Sequence, residues 1–210
     1  MSLEYSVDYF DQMKLIEERL GTLRGKSKDV LREAINDTAR NVKKTMLEKA
    51  RERYAESDPA VLANKQLKLT TAKADGLTAV LRSRGKSLDM PKFSVFPHAP
   101  QQRTTVTAKI LEENGMKAIS GEPKPFLVQF KNGHLAVLRR VPGEEYGMSN
   151  AGMIRRLLGW DITKVKKLVT VSTPQMLHEE EVTDSALDLF QTMLPDAVEK
   201  SIRKAIKKGG

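Results

Sequence analysis

Cysteine is absent from the 210 residues. That excludes disulfides, thiolate zinc sites and cysteine nucleophiles. Aromatic residues are scarce, at 5%, with a single Trp. The scarcity weighs against single-strand nucleic-acid binding, which stacks bases on aromatic platforms. There is no run of about 18 consecutive apolar residues, so no membrane-spanning helix is expected. Met1 to Phe10 contain Glu4 and Asp8 and no long apolar stretch, which speaks against a secretory signal. The three histidines, His98, His134 and His178, lie far apart and lack H-x-x-x-H or H-E-x-x-H spacing, so no zinc site is expected. No G-x-S-x-G elbow supports a serine nucleophile. No catalytic, cofactor-binding or metal-binding residue is therefore assigned.

Apolar residues at 40% and charged residues at 30% are ordinary for a globular protein. The length suits one sizeable core or at most two small domains. The unusual feature is a net charge of +9. Residues 1–60 hold twelve basic and twelve acidic residues and contribute nothing to it. Residues 61–143 hold fourteen basic and five acidic. Residues 179–195 carry only acids, five of them. The excess thus sits in the middle of the chain and not in a basic tail.

Hydrophobic spacing organises the chain. Phe10, Met13, Ile16 and Leu20 recur at helical intervals between Val7 and Leu23, and Gly21 and Gly25 break the pattern. Ser27 is a candidate N-cap for a long amphipathic helix carrying Leu31, Ala34, Ile35, Thr38, Val42, Met46, Ala50 and Tyr54. Ser57-Asp58-Pro59 ends it and introduces a short helix over Ala60–Gln66. Strands are expected over Leu67–Lys73 and Leu77–Arg82, joined at Asp75-Gly76. Further strands are expected around Phe93, Val95 and Phe96, and over Val106, Ala108 and Ile110, with a turn at Asn114-Gly115.

The strongest hairpin is Phe126–Lys131 with His134–Val141 around Asn132-Gly133. A two-residue turn there places Phe126, Val128, Phe130, Leu135 and Val137 on the core face. The Gly-rich stretch 144–160 holds Trp160 and one helical turn near Met153–Leu158. Ile162–Thr173 is a strand, with Val165, Val169 and Val171 on one side. A final helix capped by Thr183 or Asp184 carries Leu187, Phe190, Leu194, Val198, Ile202 and Ile206, and is expected to bend at Pro195. Its acidic start and basic end complement the helix dipole. The expected fold is one α+β domain over 1–210: helical over 1–66, mainly antiparallel β over 67–173, and helical over 174–210.

Two Gly-Lys-Ser triplets occur, at Gly25 and Gly85. A P-loop needs a glycine five residues before the second one, and those positions hold Leu20 and Val80. Both are taken as loop glycines. Lys and Arg on the strands allow a second reading, a basic α+β nucleic-acid-binding module. The competing explanation is that outward lysines protect sheet edges.

The ordered segments resemble the minor tail protein Z family, the tail-completion proteins of long-tailed phages. The resemblance rests on Ala34-Ile35-Asn36-Asp37-Thr38-Ala39 in the long helix and on the strand–Lys131-Asn132-Gly133–strand unit ending in Arg139-Arg140-Val141. It also rests on Lys166-Lys167-Leu168, on Val171-Ser172-Thr173-Pro174-Gln175-Met176, and on the amphipathic basic C-terminal helix. It covers nearly the whole chain, although residues 144–160 are longer and more Gly-rich than the family pattern. It implies a non-enzymatic structural protein of the virion, or of a prophage-encoded tail, at the head-proximal tail end. Such a protein is made in the host cytoplasm and works as a hexameric ring with other tail and neck proteins. Genomic DNA in the channel would be a further contact. It implies no cofactor and no membrane partner. Complementary charge offers a subunit contact, with Glu179, Glu180 and Glu181 of one subunit meeting Arg139, Arg140 or neighbouring lysines of the next.

Overall fold

A computed structural model describes residues 10–20, 25–73 and 75–209. Val7, Gly21 and Leu23 lie outside them, as do the side chains of Phe10 and Met13. The architecture is α+β, with helices at both ends of the described chain and antiparallel strand pairs between them. Chain contacts resolve two compact units.

The first unit joins the early and late helices. It contains α1 (Phe10–Leu20), α2 (Ser27–Arg53), β1 (Leu67–Thr70), β2 (Val80–Ser83), α4 (Thr173–Leu177) and α5 (Glu180–Gly209). α2 buries Val30, Leu31, Ala34, Ile35, Thr38, Val42, Met46 and Ala50, the three-to-four spacing that a 3.6-residue repeat turns toward one side. α5 answers with Leu194, Val198 and Ile202, which join Ile16, Leu20 and Ile35 in one core. The ion pairs Arg19–Glu199 and Lys204–Glu33 tie α1 and α2 to α5 at the surface. Asn36 has a specific task. Its side-chain amide donates to the Ala72 carbonyl (3.2 Å) and its oxygen accepts from the Ala72 N–H (2.7 Å), fixing the chain after β1 against α2.

Several boundaries differ from expectation. Over Ala60–Gln66 only Asn64–Gln66 winds, as one 3-10 turn. β1 and β2 are shorter than predicted and pair Leu67 with Ser83 and Thr70 with Val80. α5 begins at Glu180, ahead of the predicted Thr183 or Asp184 cap. Thr183 instead turns its hydroxyl back to the Glu180 carbonyl (2.9 Å). α5 runs through Pro195 without ending. Leu187 and Ile206, expected in its apolar stripe, are 41% and 49% exposed.

The second unit contains β3 (Ser87–Asp89), β4 (Ser94–Phe96), β5 (Thr107–Lys109), β6 (Lys117–Ala118), β7 (Phe126–Gln129), β8 (Leu135–Glu145), α3 (Asn150–Leu157), β9 (Thr163–Lys167) and β10 (Val169–Ser172). Its sheets are ordered β4-β5-β6, β7-β8-β9 and β10-β3. Val95, Val106, Ala108, Leu127 and Val137 form its core.

The β7–β8 register corrects the predicted hairpin. Leu127 pairs with Val137 and Gln129 with Leu135, one residue away from the two-residue-turn register. The loop has three residues, Lys131 to Gly133, closed by Phe130 and His134 (N–H to carbonyl, 2.8 Å). Gly133 sits at φ +82°, the left-handed position that ends such a loop. A one-residue slip exchanges the faces. Leu127 therefore replaces Phe126 and Val128 beside Val137, and Phe130 is 45% exposed. The predicted strand Ile162–Thr173 is broken at Leu168 into β9 and β10.

Candidate assembly surfaces

β8 is 11 residues long, more than its core needs. Ala136, Val137 and Leu138 are buried, whereas Pro142 to Glu145 are exposed. The outer end of β8 still pairs with β9, through Glu145 and Thr163, after a register shift beyond Arg140. α3 connects these two outer ends.

Local chemistry explains the seat of α3. Ser149 caps its start, accepting from the Gly152 N–H (3.4 Å). Gly152 lies against the Gly147 carbonyl, where any Cβ would collide with backbone oxygen. Arg155 stacks over the Tyr146 ring at 4.9 Å and donates to the Asp161 carbonyl (2.8 Å). Arg156 reaches the Gly147 carbonyl (3.3 Å) and Glu145 (3.7 Å). The polar side of α3 is thereby fastened to its own strands. Met153, Ile154, Leu157 and Leu158 take the remaining face and point to solvent, Leu157 at 86% exposure. Met148 and Trp160, flanking the helix, are exposed as well.

The residues singled out from sequence fall in both units. Glu180 and Glu181 form the first turn of α5 in the first unit, where their charge favours the helix N-terminus. Glu179 immediately precedes them and its carbonyl accepts from the Thr183 N–H (2.9 Å). Glu181 also acts on Lys49, whose pKa is raised first by its hydrogen bond to Glu52 and to a smaller extent by Glu181. Arg139 and Arg140 belong to the second unit, at β8. Arg140 pairs with Asp161 and lies 5.6 Å from the Phe126 ring centroid. The Arg139 guanidinium occupies the space a side chain at Gly121 would need, and Gly121 has a φ of +123°.

One polar cluster has no counterpart in the sequence spacing. Asp89, at the end of β3, receives His134 Nε2 (3.0 Å) and Lys167 Nζ (2.7 Å), and Phe130 stacks on the His134 ring. It fastens the hairpin loop and β9 to β3. The register that brings His134 and Lys167 to one face of the sheet is the signal that sequence spacing lacked. The Gly-Lys-Ser triplets have structural roles. Ser27 opens α2, and Gly85-Lys86 lead from β2 into β3, a strand. Among the described residues no group of three or more His, Asp or Glu side chains gathers to hold a metal ion. No described helix is long and apolar enough to cross a membrane.

No family model, curated protein or solved structure matches the chain.

Proposed function

We propose that the chain is a structural subunit of a long-tailed phage virion that completes the tail at its head-proximal end. It works without catalysis, as a ring-forming and specifically hexameric oligomer, and joins tail and neck proteins around the DNA channel. It reaches the virion from the host cytoplasm.

The observation that carries an assembly role is the apolar face of α3. Four apolar side chains of one short helix face water while its arginines hold it in place. Contiguous exposed apolar patches mark interaction sites. The assignment to a tail rests on the ordered segments that resemble the minor tail protein Z family. Asn36 of the Ala34–Ala39 segment has the fold-determining contact with Ala72 described above, which gives that segment a physical reason to be specified.

The charge distribution supports assembly over nucleic-acid binding. Arg140, Lys164 and Lys167 each have a carboxylate partner inside their own unit, which reduces the positive field available to phosphates.

The test is deletion of the coding sequence from its phage or prophage, followed by electron microscopy of the lysate. Filled heads and unjoined tails are expected, and normal virions would overturn the proposal. Tight binding of generic DNA with a steep salt dependence would favour the nucleic-acid reading instead.

A further inference from the structure

We infer that the apolar face of α3 seats in an apolar groove on a second copy of the same chain. This deepens the assembly reading, on which it rests, by naming the contact. The groove lies in the first unit between α2, α5 and the chain leading to β2, and has a cavity volume of about 60 Å³. Ile35, Ala39, Val42, Leu81, Leu187 and Phe190 line it, and Thr78 is the one polar residue among its lining. Its apolar lining, open at Leu187, suits the tip of one apolar side chain such as Leu157 at the crest of the α3 face.

Charge selects the occupant. Residues 146–160 carry Arg155 and Arg156 and no acid, and Arg156 is paired with Glu145, which leaves Arg155 as the cation of this face. Arg155 is held by a ring and a backbone carbonyl, so no carboxylate among the described residues neutralises it. On α5, Glu180 and Asp184 precede the groove residue Leu187 by seven and three positions. That spacing puts all three on one side of the helix. The groove is therefore apolar with an acidic flank, and α3 is apolar with a basic flank. Each chain carries both halves. The contact is heterologous, and repeated copies of it build a closed ring or a filament according to the rotation between neighbours.

This geometry moves the basic half of the subunit contact from β8 to α3. Arg140 already pairs with Asp161, and the Arg139 guanidinium rests over Gly121. The acidic half stays at the start of α5.

The test uses two full-length variants in sedimentation velocity. Leu157→Glu places a charge on the α3 face at a position 86% exposed, so folding is preserved. Leu187→Lys places a cation in the groove wall at a position 41% exposed. The parent chain is expected to self-associate, and each variant alone to be monomeric, with dissociation constants raised at least about tenfold. An equimolar mixture is expected to form a 1:1 complex and nothing larger, because one intact α3 and one intact groove remain. A monomeric parent, a Leu157→Glu chain that associates like the parent, or a mixture that stays monomeric would overturn the inference. The tail assignment fails separately. Self-association through this contact, with normal virions in the deletion strain, would refute the tail role and leave the contact standing.

Discussion

Two isoleucines one turn apart on α5 offer a sharp test of the first unit. Ile202 is 3% exposed and belongs to the core with Ile16, Leu20, Val30 and Leu31. Ile206 follows by four residues and is 49% exposed. By periodicity alone both belong to one apolar stripe. The structure separates them. Ile202→Ala removes three buried carbons and leaves a cavity between helices, at a cost of about 2–5 kcal/mol. Ile206→Ala at a half-exposed position is expected to cost under about 0.5 kcal/mol. For a chain of this size each kcal/mol lowers the melting temperature by about 2–4 °C, so the expected shifts are roughly 4–20 °C and under about 2 °C. Thermal and urea unfolding followed by helical circular dichroism measures both, in the Leu157→Glu background, so that association does not add to apparent stability. Equal costs for the two substitutions would refute the face assigned to α5.

Three other outcomes follow from local geometry. Gly133→Ala forces an L side chain to φ +82° and is expected to cost about 1–2 kcal/mol, read from the unfolding midpoint; an unchanged midpoint would contradict the three-residue loop. Gly152→Ala drives a Cβ into the Gly147 carbonyl, so amide hydrogen exchange over 149–158 is expected to accelerate and the emission of the single Trp, Trp160, to shift. Unchanged exchange would show that α3 is not held by that close approach. Lys164 has its pKa raised above the ordinary lysine value of 10.5, chiefly by its hydrogen bond to Glu144. A cation with a raised folded pKa contributes fully below the unfolded value, and the contribution disappears as pH rises through the folded one. The stability difference between the parent and Lys164→Gln is expected at pH 8 and should shrink toward pH 12; a difference that grows with pH would contradict the pairing.

Much of the fold was legible from sequence because hydrophobic spacing carries it. α2 shows this best. Ser27 marks its first residue and its apolar positions are its buried ones up to Ala50, whereas Tyr54, expected on the same stripe, lies past the helix end and bridges to Leu111. Spacing places the central hairpin at the right residues but in a register one residue off. Asn132-Gly133 suits both a two-residue and a three-residue loop, and only pairing of the strands decides which forms. Hydrophobic spacing does not mark α4 as a separate helix, although Ser172 and Gln175 form a reciprocal capping box at its start. That pattern was present in the sequence. The placement of α3 was partly readable: Met153 to Leu158 suggested a helical turn. Its outward apolar face was not, since spacing defines a face but not what covers it. The groove was equally hidden, because it is built from α2, α5 and the approach to β2, which are distant in sequence.

The outward face of α3 is proposed as an assembly surface and not a fold element. Complementation of the deletion strain by the Leu157→Glu chain tests this most directly, with virion titre and particle morphology read beside the circular dichroism of the purified variant. The variant is expected to keep the parental helical spectrum and to leave heads and tails unjoined. Full recovery of titre by the folded variant would contradict it.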